Sequence, residues 1–186
     1  MLGVTKSVRF RGLMAGLTAT VLAFAFACSL APPAQGACGD PATAIHAIQG
    51  DGLNSPLVGT AVEVGGIVTG DFQNTLLNTP PGLGGFFIQT PDADSDGDPL
   101  TSEGLFIYDN GFGVDVAPGD RVRVSGTVAE RFDQTAVIDV TAVSVCSSGN
   151  SVTVTALTLP DDAMAGDGLE YHEGMLVSFP DALYVI

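Results

Sequence analysis

Beyond residue 60 the chain alternates apolar and polar positions with the period of two that marks strands. In "TAVEVGGIVTG" (60–70), Val62, Val64, Ile67 and Val68 surround Gly65 and Gly66, which predicts a strand with a bulge or sharp coil at the glycine pair. "GGFFIQT" (84–90) and "GLFIYD" (104–109) are short apolar runs rich in aromatic and β-branched residues, as buried strands are. "DRVRVSGTVAERF" (120–132) places Val122, Val124 and Val128 on one face and Arg121 and Arg123 on the other until Gly126 interrupts. "TAVIDVTAVSV" (135–145) supplies a fifth strand. Helical period is nearly absent; one helical turn is expected around Ala42 to Ile48, ended by Gly50.

Five strands with a glycine break in the first predict an all-β fold: a five-stranded barrel of the oligonucleotide/oligosaccharide-binding (OB-like) kind over residues 37–150. A β-sandwich with the same number of strands has the same periodicity and is the alternative. Residues 151–160, "SVTVTALTLP", offer another strand, followed by a polar link and an apolar pattern ending in Leu183, Tyr184, Val185 and Ile186. A strand that stops there leaves an apolar edge without a partner, so 151–186 reads as a linker strand and the truncated start of a second β module.

The first 36 residues lack Asp and Glu and set Lys6, Arg9 and Arg11 before an apolar run from Leu13 to Cys28, the pattern of a secretory signal peptide. Small residues at Ala34 and Gly36 place the cleavage before Ala37. A retained anchor is disfavoured by the shortness of the run and by Pro32 and Pro33, and Phe26 and Ala25 make a poor lipoprotein signal at Cys28. The expected location is therefore secreted, extracellular or periplasmic, with no membrane association after cleavage. Cys38 and Cys146 are the cysteines that remain, and an even count in an exported chain argues for one disulfide between them.

Removing the signal sharpens the charge. Arg121, Arg123 and Arg131 are then the basic residues left against all 21 acidic ones, and no lysine remains. Such a surface repels a phosphate backbone, so tight DNA binding by this piece alone starts at a disadvantage. The three arginines form the one candidate contact stripe for nucleic acid, with cross-strand pairing to Asp and Glu as the alternative. Phe72, Phe86, Phe106, Tyr108 and Phe132 are candidate stacking residues, with core or rim packing as the alternative.

The densest acidic stretch is "PDADSDGDPLTSEG" (91–104). Asp92, Asp94, Asp96, Gly97, Asp98 and Glu103 match the D-x-D-x-D-G-x5-E calcium-loop pattern, in which alternate side-chain oxygens line a tight turn and a distant glutamate closes the shell. The flanking segments are strands and Pro99 interrupts the loop, so an EF-hand is excluded. The expectation is a structural Ca2+ held by Asp92, Asp94, Asp96, Asp98 and Glu103 in a β-hairpin, against a solvated acidic turn. His46 and His172 read as hydrogen-bonding surface residues.

"IHAIQGDGLNSPLVGTAVEVGGIVTGDF", "GGFFIQTPDADSDGDPLTSEGLFIY", "VAPGDRVRVSGTVAERF" and "LEYHEGMLVSFPDALYV" together resemble the N-terminal region of secreted bacterial nucleases of the ExeM/NucH type. The resemblance implies an OB-type module upstream of an endonuclease/exonuclease/phosphatase domain, which would carry Mg2+ or another divalent metal and would engage DNA. That catalytic domain is absent from these 186 residues, so no catalytic residue is carried over. The chain is expected to be a non-catalytic, calcium-binding module of a secreted nuclease. The alternative is a calcium-rigidified extracellular structural or adhesion domain, and an enzyme complete in this length has the least support.

Overall fold

The computed structural model describes Gly3 and residues 37–73, 83–160 and 168–182. The chain divides into Met1–Pro33 and Ala34–Ile186, and the second unit contains the barrel. Apart from Gly3, the expected signal peptide lies outside the described residues, as does the apolar finish at Leu183 to Ile186. No helix among the described residues is long and apolar enough to cross a membrane.

Helix α1 (Ile45–Gln49) precedes five main strands: β1 (Ala61–Phe72), β2 (Gly85–Gln89), β3 (Gly104–Ile107), β4 (Arg121–Glu130) and β5 (Thr135–Ser147). They close into a barrel in the order β1-β2-β3-β5-β4, with β4 returning to pair with β1. All contacts are antiparallel except β3 with β5, which run parallel. Closure separates the barrel from the sandwich that periodicity alone allows, because no barrel strand is left as an open edge.

The period-two pattern becomes the inside of this barrel. Val62, Val64 and Val68 of β1, Phe86 and Ile88 of β2, Leu105 and Ile107 of β3, Val122, Val124 and Val128 of β4, and Val137 and Val143 of β5 form one buried cluster. Ile45 and Ile48 of α1 and Val116 of the β3–β4 connection join it. Each such side chain contributes about 1.5 to 3 kcal/mol by leaving water.

The expected break at Gly65-Gly66 is absent: β1 pairs with β4 in regular register from Ala61 to Ile67. The irregularity falls later, where β1 slips against β2 between Val68 and Gly70. The interruption at Gly126 does occur, as a register shift between Ser125 and Thr127.

The expected strand at 151–160 shrinks to β6 (Thr155–Ala156), which pairs in parallel with β7 (Val177–Ser178). Asp92 captures the amide and hydroxyl of Thr153, and Leu157 is buried, so the flanks of β6 are tied to the barrel domain. The segment around residue 174 crosses the start of β3. Gly104 has to be glycine there, because a Cβ would stand 2.2 Å from the carbonyl carbon of Gly174. Ser102 donates to the Glu173 carbonyl and the Leu176 amide donates to Gln89, which fixes the crossing on the outside of β2 and β3.

Cys38 and Cys146 are bonded, joining the approach to α1 with the end of β5 across a sequence separation of 108. Such a bond is compatible with an exported protein.

Candidate metal centre and ligand face

The acidic loop between β2 and β3 does not gather its five carboxylates around one point. It begins with a 3-10 turn at Asp92–Asp94 and then bends at Gly97, whose φ of +71° is open to glycine. Short aspartates turn back onto the loop's own amides: Asp96 Oδ1 accepts from the Asp98 amide at 2.9 Å, and Asp98 Oδ1 from the Leu100 amide at 3.0 Å. Asp92 faces away and accepts from Thr153 N and Oγ1 at 2.9 and 2.6 Å. The Thr153 hydroxyl and then its amide hold the Asp92 carboxyl below the usual carboxylate range. Asp94 lies 3.6 Å from the Arg121 guanidinium.

Asp96 and Glu103 converge, and a residue from another element meets them. Glu103 Oε1 accepts from the Asp96 amide at 2.9 Å. His46 Nδ1 stands 3.7 Å from Asp96 Oδ2 and 3.6 Å from Glu103 Oε1. One donor atom from each of His46, Asp96 and Glu103 falls within a sphere of contacts no wider than 4.8 Å, the one such group among the described residues. Burial raises the Asp96 carboxyl, but the Asp98 amide, the Thr101 hydroxyl, His46 and a hydrogen bond with Glu103 outweigh it, and the group ends below its ordinary value.

The helix dictates where His46 points. Ile45 and Ile48 anchor α1 in the core, and the Gln49 side-chain amide donates to the Gly104 carbonyl, adjacent to Glu103. Glu103 itself is held from the other side, its carbonyl accepting from the Thr90 amide at 2.9 Å. Sequence pattern supplied Asp96 and Glu103 but not His46, which has no spacing relation to the loop. The nearest available signal is its place between two core isoleucines on a short helix.

The three arginines part company. Arg123 is buried, pairs with Glu63 at 2.9 Å and donates to the carbonyls of Asp40 and Pro41, so it fastens the approach segment to β1 and β4. Arg121 is half-exposed beside Asp94. Arg131 lies over the Tyr108 ring at 4.0 Å and the Phe132 ring at 4.8 Å, and Phe132 is 88% exposed.

Among the aromatic candidates, Phe86 is in the core and Phe106 is buried. Phe87 meets Phe72 edge-on at 6.0 Å and Phe106 at 4.8 Å, forming a row across the outside of the first three strands. Phe72, Phe87, Gln134 and Met175 border a groove of about 380 Å³ on that side.

No family model matches the chain, and neither a curated protein nor a solved structure is significantly similar to it.

Proposed function

We propose that the chain is the non-catalytic OB-like module of a larger secreted nuclease, and that it helps hold a nucleic-acid strand by stacking more than by charge. The nuclease assignment draws on the four sequence segments that resemble the ExeM/NucH type. The binding role draws on one observation: Arg131 and an 88% exposed Phe132, in the β4–β5 turn of a closed barrel, are grouped with Tyr108, which follows β3. Aromatic faces accept any base and contribute about 1 to 3 kcal/mol per stacked base, which partly offsets an acidic surface.

The test is fluorescence anisotropy of a labelled single-stranded oligonucleotide at low salt, together with incubation of plasmid in Mg2+. Saturable binding that weakens about fivefold or more in Phe132→Ala, with the plasmid left supercoiled, is the expected result. Absence of binding, or binding equal in parent and Phe132→Ala, contradicts the nucleic-acid role. Metal-dependent cutting by the purified chain contradicts the non-catalytic one.

A second reading is an extracellular structural module. It is favoured by the engagement of Arg121 and Arg123 with Asp94 and Glu63, which leaves those charges committed within the domain. That reading predicts no strand binding at any salt.

A further inference from the structure

We propose that His46, Asp96 and Glu103 form a site for a divalent first-row transition metal ion of the zinc class, joining α1 to the β2–β3 loop. Three features carry the assignment, and the first is the distances. At 3.6 and 3.7 Å, the contacts from His46 Nδ1 to the two carboxylates are too long for hydrogen bonds. Donors sharing an ion at ~2.0–2.2 Å stand about 3.0 to 3.5 Å from one another, close to the observed spacing.

The second feature is a set of buried polar atoms with nothing to bond. His46 Nδ1 and Glu103 Oε2 are both buried without a hydrogen-bond partner, and Glu103 as a residue is only 7% exposed. Leaving such atoms unsatisfied costs about 1 to 3 kcal/mol each, more for a charged group. An ion bound by this imidazole and this carboxylate would give both atoms a partner. The ligands are also held from behind: the Asp96 amide orients Glu103, and the Asp98 amide and Thr101 hydroxyl orient Asp96.

The third feature is the donor chemistry. Calcium takes six to eight oxygens, whereas Asp92, Asp94 and Asp98 are turned to Thr153, Arg121 and Leu100. What remains is one imidazole nitrogen with two carboxylates, a set that suits zinc and its neighbours over calcium or magnesium. Cys38 and Cys146 are bonded to each other and supply no thiolate. Three protein ligands leave at least one position for water.

The test is calorimetric titration of the EDTA-stripped chain with Zn2+, Ca2+ and Mg2+, alongside His46→Gln, Glu103→Gln, Asp92→Asn and His172→Gln. One zinc should bind per chain, at least about tenfold more tightly than calcium. His46→Gln and Glu103→Gln should each weaken zinc by about tenfold or more, the scale seen when even a supporting residue is lost. Asp92→Asn and His172→Gln should bind as the parent does. Circular dichroism identifies a variant that fails to fold; Glu103→Gln, whose amide oxygen can still accept from Asp96, then decides. The proposal is overturned by calcium binding more tightly than zinc and untouched by His46→Gln, by lack of stoichiometric zinc binding, or by zinc that is lost in His172→Gln alone.

Discussion

Glu103 Oε1 stands 2.9 Å from the Asp96 amide and 3.6 Å from His46 Nδ1, so one buried carboxylate ties the acidic loop to the helix that precedes the barrel. The approach segment is fastened at other points too, by the Cys38–Cys146 bond, by Arg123 and by Gln49. These fastenings account for a short helix that isolation would not stabilise.

Reducing the disulfide should lower unfolding stability by about 4 to 5 kcal/mol, given the length of loop it closes. Urea denaturation with and without reductant measures this. Coincident midpoints would show that the approach segment is held without the bond.

Arg123 and Arg131 should separate stability from binding. Arg123→Ala strands Glu63 and the carbonyls of Asp40 and Pro41, and should cost about 3 kcal/mol in urea denaturation. Arg131→Ala should leave stability within about 0.5 kcal/mol, as for other surface changes, and weaken oligonucleotide binding. Equal destabilisation by both would place Arg131 among the structural residues.

Glu173 gives the domain a pH dependence. Burial, then repulsion from and hydrogen bonding with Glu170, then repulsion from Glu130 push its carboxyl up to about 8, against a backbone hydrogen bond with Thr135 that lowers it. The folded state therefore holds a proton that the unfolded state releases near pH 4.5, and stability falls as pH rises from there to about 8. Glu173→Gln should flatten that decline and raise stability at pH 8; solvent screening of this half-buried group limits the gain to about 1 kcal/mol. Melting temperatures across pH 5 to 9 check it, and parallel profiles for parent and variant would contradict it.

The barrel was legible because Val62, Val64, Val122, Val124 and Val128 alternate with polar neighbours, and that period survives as the inside and outside of one sheet. The position of the bend in β1 was not, because a glycine pair permits a bulge without requiring one; the slip occurs where β1 turns against β2, beyond Val68. The loop pattern at 91–104 identified a dense carboxylate cluster, but spacing cannot say which oxygens Thr153, Arg121 and the loop's own amides will take. Those partners come from β4, from the segment before β6 and from local turns. His46 was out of reach for the same reason, since only the docking of α1 brings it beside Glu103.

X-ray absorption at the zinc edge, on chain loaded with one equivalent, tests the metal assignment most directly. The expected shell is one imidazole nitrogen and oxygens at ~2.0–2.2 Å, with no sulfur, and the imidazole signature should be lost in His46→Gln. A shell of oxygen alone, or an imidazole signature that persists in His46→Gln, would contradict it.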